Sequence, residues 1–155
     1  MIPQFRGQRI TGRQACRDAR IAHPAGGVYL PPMSDIFAPE GGWRVRLLDH
    51  SAPAEAREIE TIAGFPTLMQ ANEFARRYVR DQIERCRAAG ADRRAVLEAW
   101  AAFGEDAEVL DAGPAGWRSE AELGDFVDQP ADEEACDWRA LDPRRDEDAE
   151  DDPEA

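Results

Sequence analysis

The sequence predicts an α+β fold: a small three-stranded antiparallel sheet with two helices on one face, flanked by a basic N-terminal arm and an acidic C-terminal tail. Two patterns predict it. Apolar and polar residues alternate in short runs, as in strands, and apolar residues recur at three- and four-residue steps between the second and third runs, as in helices. The order strand, strand, helix, helix, strand places the core domain at residues 42–112.

The strands are predicted from this alternation. Apolar and charged residues alternate over Trp43–Leu48 and again over Glu58–Ala63, where Gly64 ends the run. Two strands so close in sequence are expected to pair as a hairpin. The inward-facing residues are then Trp43, Val45 and Leu47 in the first strand and Ile59, Thr61 and Ala63 in the second. A third strand is predicted over Ala107–Asp111.

The first helix has the clearest signals in the chain. Thr67 and Gln70 form a T-x-x-Q capping box, and Gly90 supplies a C-terminal stop. The apolar face comprises Leu68, Ala71, Ala75, Val79, Ile83 and Cys86. On the opposite side, charges alternate in sign at i,i+4 spacing, which is typical of a solvated face. These charged residues are Glu73, Arg77, Asp81 and Arg85.

A second, shorter helix is predicted after Asp92, which can cap it. Val96, Trp100 and Phe103 would share one apolar side, and Gly104 would end the helix.

Charge is distributed unevenly along the chain, whose net charge is −13. Met1–His23 carries five arginines and one acid, whereas Glu105–Ala155 carries twenty acids and four arginines. We expect residues 1–41 to form an extended or disordered basic arm and residues 142–155 a disordered acidic tail. Segregated charge favours macromolecular partners, here a protein partner or a second copy of the chain bound through the arms.

Arginines in the N-terminal arm recur every three to four residues, so a helix would align them in one basic stripe. The stripe includes Arg6, Arg9, Arg13 and Arg17. It could contact phosphates, as a nucleic-acid-associated regulator would, although the net charge of −13 opposes binding to a polyanion. A contact with the acidic tail and a solvated arm are the alternatives.

Large apolar residues also lie within the acidic residues 113–141, which predicts short amphipathic helices there. Ser119–Glu122 repeats the capping-box pattern before one of them. The large residues include Trp117, Leu123, Phe126 and Trp138. Such residues either fold back on the core or bind a protein partner, and the sequence leaves both possibilities open.

An alternative site is centred on His50 beside Asp49, because a histidine near a carboxylate can act as a general base or a ligand. Glu105 and Asp106 could contribute further carboxylates, although they lack the spacing of a Ca²⁺ loop. The competing interpretation is an exposed loop histidine and solvated turn acids. No metal-ligand set, phosphate-binding loop or cofactor motif is recognisable.

Cysteine usage and hydropathy predict a cytoplasmic protein. The three cysteines lie far apart and form no C-x-x-C pair, which fits a reducing compartment. No apolar run approaches the ~20 residues that a membrane span needs.

Trp43–Asp111 resembles a family of small uncharacterised bacterial proteins. The shared pattern is an aromatic-x-Val strand ending in Asp, a second strand running into Gly and an aromatic, a long arginine-bearing helix, and a second helix that closes with Phe-Gly-Glu-Asp. The matching residues are Trp43, Val45, Asp49, Gly64, Phe65, Ala71–Arg77 and Phe103–Asp106. The family's first loop holds a histidine flanked by aromatic and acidic residues, whereas Asp49–Pro53 here has no aromatic. The resemblance implies the strand-strand-helix-helix-strand fold and no particular activity.

Taken together, the sequence favours a non-enzymatic protein–protein interaction or adaptor module over an enzyme. A small acid/base or metal-dependent enzyme using His50 is the first alternative, and a nucleic-acid-associated regulator is the second.

Overall fold

The computed structural model of the chain describes residues 38–145, and they form the predicted α+β fold. In chain order the strands and helices are β1 (Trp43–Asp49), β2 (Glu58–Phe65), α1 (Leu68–Cys86), α2 (Arg93–Phe103), β3 (Glu105–Leu110), α3 (Leu123–Asp128) and α4 (Glu133–Cys136). Short 3₁₀ turns occupy Ala54–Ala56, Gly113–Ala115, Ser119–Ala121 and Arg139–Leu141. No helix in these residues is long and apolar enough to span a bilayer.

The sheet has the strand order β2-β1-β3, with both pairs antiparallel. The predicted hairpin is therefore present, and the third strand pairs with the other side of β1. Trp43, Val45 and Leu47 are all buried, as their alternation predicts. The helices lie against this buried face, so the core sits between the sheet and α1.

The predicted inward face of β2 is wrong. Ile62 and Phe65 are the buried residues, while Ile59 is 47% exposed and Thr61 and Ala63 are also exposed. The cause is two irregularities in the pairing with β1. Each one adds an extra residue to β2, so the side chains after it point to the opposite face of the sheet. One lies at Ile59, and the other lies before Phe65, where Gly64 has a φ of +94°.

Helix α1 begins as predicted, with the Gln70 backbone N–H donating to Thr67 Oγ1 at 3.1 Å. The Gln70 side chain does not complete the capping box. It donates instead to the Leu141 carbonyl at 3.3 Å, 71 residues away. The buried face of the helix comprises Ala71, Phe74, Ala75, Tyr78, Val79, Gln82 and Ile83.

Helix α2 has its predicted Asp92 cap, and Val96 and Trp100 are buried. Phe103 differs from the expectation because 77% of it is exposed. The chain turns into β3 directly over Trp100, whose indole N–H donates to the Glu105 carbonyl at 3.1 Å. A Cβ on Gly104 would lie 2.4 Å from Trp100 Cδ1, so glycine is required by close approach. This turn places Phe103 on the solvent side.

Residues 113–145, here called the C-terminal segment, fold back onto α1. Phe126 and Val127 are fully or almost fully buried in the core. Several other apolar side chains of the segment pack against the same core; they are Trp117, Leu123, Trp138 and Leu141. Of the two possibilities left open by the sequence, the structure therefore shows folding back.

The C-terminal segment also covers part of the α1 face that was predicted to be solvated. The Glu73–Arg77 and Asp81–Arg85 pairs form as predicted, each at 2.8 Å. However, Asp81 also accepts a hydrogen bond from the Trp138 indole at 3.0 Å, and Arg77 donates to the Asp137 carbonyl at 3.3 Å. Arg77 and Asp81 therefore anchor the segment to α1, whereas Arg85 remains exposed.

The structure of the C-terminal segment differs from the sequence-based expectation at two places. Ser119–Glu122 is not a capping box, because Ser119 is buried in a 3₁₀ turn and donates to Asp106, while Glu122 accepts from Arg76. Residues 142–145, predicted as part of the acidic tail, contact β2 through an ion pair of 2.9 Å between Arg144 and Glu60. Residues 146–155 lie outside the described residues.

We predict that Phe126→Ala lowers the free energy of unfolding by about 3–5 kcal/mol, because it removes a fully buried aromatic ring and leaves a cavity. Urea denaturation followed by circular dichroism measures this loss. Phe103→Ala is the matched control, since Phe103 is 77% exposed, and it should change the stability by less than about 0.5 kcal/mol. Equal effects of the two substitutions would contradict the observed packing of the C-terminal segment.

Candidate functional site

His50 and Asp106 meet at the end of the sheet where β1 finishes and β3 begins. Leu48 pairs with Asp106 across these strands, and the His50 backbone N–H donates to the Gly104 carbonyl at 3.0 Å. The imidazole packs edge-on against Trp100 with ring centroids 4.5 Å apart. Its Nε2 lies 4.0 Å from Asp106 Oδ2, which is too far for a hydrogen bond. Nε2 is buried and has no hydrogen-bond partner among the described residues.

Burial controls the chemistry of Asp106. Desolvation raises its pKa, although the Ala107 backbone N–H and the Ser119 hydroxyl both donate to the carboxylate. These distances are 2.8 Å and 3.0 Å respectively. Ser119 was not recognised as part of this group from the sequence, because its position in an S-x-x-E pattern suggests a helix cap instead. No sequence signal places it beside a residue of β3.

The other two residues of the predicted site point elsewhere. Asp49 accepts hydrogen bonds from the backbone and hydroxyl of Ser51 at 2.7 Å and 2.6 Å, and these bonds lower its pKa. Glu105 accepts a hydrogen bond from the Tyr78 hydroxyl on the helix side of the sheet. Burial, with this contact, raises the Tyr78 pKa. The structure therefore brings together His50 and Asp106 but not the whole predicted group.

The surroundings of His50 and Asp106 do not form a nucleophilic site. Ser119 donates to the carboxylate, so it is not activated by the histidine as a nucleophile would be. The adjacent cavity measures only about 140 Å³, whereas ligand pockets typically measure about 300–1,000 Å³. Within residues 38–145, no three His, Cys, Asp or Glu side chains are placed to hold a metal ion.

A larger depression lies at the N-terminal end of α1, and we call it the α1 groove. Its volume is about 930 Å³. The apolar lining residues are Leu68, Met69, Trp117 and Leu141, and the polar ones are Thr67, Gln70, Asn72, Glu73, Arg76 and Arg77. Met69 is 78% exposed. One wall belongs to α1 and the other to the C-terminal segment.

Polar contacts fix the second wall of the groove against α1. The Asn72 side chain donates to the Ala115 carbonyl at 3.0 Å and accepts from the Trp117 backbone N–H at 2.8 Å. The Trp117 indole donates to Glu122 at 2.7 Å. Since both ends of the tryptophan are held, it presents a fixed apolar surface to the groove.

Both arginines of the groove are already paired. Arg76 makes a bidentate contact with Glu122, with nitrogen–oxygen distances of 2.8–3.0 Å, and this contact lowers the pKa of Glu122. Arg77 pairs with Glu73 at 2.8 Å. The groove therefore offers apolar contact rather than an unpaired charge.

The predicted partner-binding residues have separate locations. Trp117 lines the groove, Phe126 is fully buried beneath Arg76 and Arg80, and Leu123 and Trp138 pack against the core. The arginines of the basic stripe, Arg6, Arg9, Arg13 and Arg17, lie outside the described residues. Sequence reasoning missed Met69, because an apolar residue in the first turn of a helix gives no sign of the surface that it faces.

We predict that Asp106→Asn stabilises the protein relative to the wild type, and that this gain in the free energy of unfolding is larger at neutral pH than at low pH. The folded-state pKa of Asp106 is raised, so its ionisation opposes folding as the pH rises from the unfolded value through the folded one. Asparagine removes that cost and can still bond to Ala107 and Ser119. Urea denaturation at pH 4 and pH 7.5 tests this. Asp125→Asn, the same change at an exposed position, is the control. A greater loss for Asp106→Asn at pH 7.5 would contradict the prediction.

A second prediction concerns the groove wall. Glu122→Gln should destabilise the protein by about 1.5–3 kcal/mol at pH 7, because it weakens a charge-assisted, bidentate contact. The folded-state pKa of Glu122 is lowered, so the loss should be full above the unfolded value and disappear as the pH falls through the folded one. Glu98→Gln is the matched control, because its pair with Arg94 is exposed. The prediction fails if both variants lose equal stability.

Comparisons with known proteins supply no analogue for this geometry. No family model, curated protein or solved structure matches the chain. The resemblance to small bacterial proteins with a Phe-Gly-Glu-Asp turn stays a prediction, and any function must be argued from the residues themselves.

Proposed function

We propose that the chain is a non-enzymatic protein-interaction module that binds an apolar segment of a partner protein in the α1 groove. The observation that carries this proposal is the exposure of Met69, 78%, beside the apolar surfaces of Leu68, Trp117 and Leu141. An exposed methionine next to a tryptophan is typical of surfaces that bind protein segments.

The size and charge of the groove support a short apolar segment as its ligand. A volume of about 930 Å³ can hold several side chains of a bound segment. Because Arg76 and Arg77 are paired with Glu122 and Glu73, a charged ligand would have to displace an existing ion pair. An aliphatic or aromatic side chain would displace only water, so apolar burial supplies the binding energy.

The two alternative functions have less support. For an acid/base enzyme, His50 and Asp106 would need a substrate pocket, and the neighbouring cavity of about 140 Å³ is too small for one. For a nucleic-acid regulator, the basic stripe would have to overcome an excess of carboxylates over arginines in residues 38–145.

A displayed library of short random peptides provides the test. The wild-type protein should enrich peptides with large apolar side chains, and their affinity is then measured by fluorescence polarisation on synthetic copies. Met69→Glu should weaken binding by at least about tenfold, because docking would bury a new charge. Phe103→Glu is the matched control, since Phe103 is equally exposed but lies outside the groove, and it should leave binding unchanged.

The outcomes separate the candidate sites. Failure to enrich any peptide, or an equal loss from Phe103→Glu, would overturn the proposal. His50→Ala should leave peptide binding unchanged, because His50 does not line the groove. A loss of binding in this variant would instead place the binding site near His50, at the C-terminal end of β1.

A further inference from the structure

A second depression lies beside the α1 groove, and we call it the acidic depression. Its volume is about 650 Å³. Asp81 of α1, which pairs with Arg85 at 2.8 Å, forms one side. The other lining residues belong to the C-terminal segment; they are Glu133, Glu134, Cys136, Asp137 and Arg139. Carboxylates therefore dominate this lining, whereas apolar side chains and paired charges line the groove.

One ridge of α1 runs through both depressions. Residues at i,i+4 spacing lie in a row along a helix, and this row is formed by Met69, Glu73, Arg77 and Asp81. The first three line the α1 groove, and the last lines the acidic depression. From Met69 to Asp81 the helix rises about 18 Å. Because an extended chain advances about 3.3 Å per residue, a segment of about six residues can contact both depressions.

The C-terminal segment connects the two depressions from the other side. The 3₁₀ turn Arg139–Leu141 contributes Leu141 to the groove and Arg139 to the acidic depression. Arg77 of the groove donates to the carbonyl oxygens of Glu134 and Asp137 at 3.4 Å and 3.3 Å. The two depressions therefore share both of their walls.

The acidic depression has negative charge that the fold leaves unpaired. Among residues 38–145, Glu133, Glu134 and Asp137 form no ion pair. Against these three carboxylates the lining holds Arg139, whose guanidinium lies 4.3 Å from the centroid of the Trp138 ring. A positively charged side chain can pair with a free carboxylate here, whereas in the groove it would have to displace an existing ion pair.

We propose that the partner segment is amphipathic: its large apolar side chains occupy the α1 groove, and arginine or lysine side chains at one end of it lie against the acidic depression. This inference rests on the function proposed for the groove and names the chemistry of the partner. Exposed ion pairs alone contribute little binding energy. The apolar contact therefore supplies most of the affinity, and the carboxylates select among apolar segments by their charge.

The charge of the whole chain acts in the same direction. A net charge of −13 attracts basic segments and repels acidic ones before contact is made. This long-range attraction does not depend on where the carboxylates lie. A test of the inference must therefore remove the same charge once at the acidic depression and once elsewhere on the surface.

Peptides that the wild-type protein enriches from the displayed library are the probes. They should carry arginine or lysine on one side of their large apolar residues. Synthetic copies in which glutamine replaces these basic residues should bind the wild type about three- to tenfold more weakly by fluorescence polarisation. The difference should shrink at about 1 M salt, where the screening length falls to about 3 Å.

Matched charge removals then locate the contact. Glu133→Gln with Glu134→Gln should weaken binding of the basic peptides by about three- to tenfold and leave the glutamine copies unchanged. Both side chains are exposed, so the fold should be retained by circular dichroism. Glu55→Gln with Glu120→Gln removes the same charge from two exposed positions outside both depressions, and it should change the affinity by less than about twofold.

The outcomes separate this inference from the proposed function. Enriched peptides without basic residues, or equal affinities of the basic peptides and their glutamine copies, would overturn the inference and leave apolar binding in the groove standing. An equal loss from the Glu55 and Glu120 changes would also overturn it, because the attraction would then be to the net charge alone. If no peptide is enriched, the inference and the proposed function both fail.

Discussion

The packing of Phe126 against α1 is the contact on which the rest of the structure depends. Its ring is fully buried, with the Arg76 and Arg80 guanidinium groups 5.3 Å and 4.6 Å from the ring centroid and the Trp117 ring stacked at 6.3 Å. A sheet of three short strands buries only one side of α1. Because a core of about seventy residues gains little from burial alone, a second apolar cover on α1 contributes a large share of the stability.

The same packing creates the α1 groove. Glu122 receives both the Arg76 guanidinium and the Trp117 indole, so the residue that anchors the C-terminal segment also orients the apolar wall of the groove. Asn72 fixes the backbone of that wall from α1. The shape of the groove is therefore coupled to the stability of the fold, and a change that loosens the segment would also remove one side of the binding surface.

The sequence predicts the elements whose signals are local. The alternation of β1 and the Thr67 cap of α1 depend on neighbouring residues, and both are confirmed. Long-range contacts decide the rest. Asp81 appears solvated in the helical pattern because its partner, Trp138, is 57 residues away. Ile59 is predicted to point inward because the sequence alternates with period two. An extra residue in the strand switches the buried face, and the alternation of residue types does not reveal it.

A single short stretch of chain connects the α1 groove with the edge of the sheet at β2. Leu141 lines the α1 groove and accepts from Gln70, and three residues later Arg144 pairs with both Asp142 and Glu60 of β2. If Arg144 were displaced, Glu60 would lose its ion-pair partner, and the wall containing Leu141 would lose an anchor. A ligand that packs against Leu141 would favour this placement of the stretch, so binding in the groove and the contact of residues 141–144 with β2 should stabilise each other.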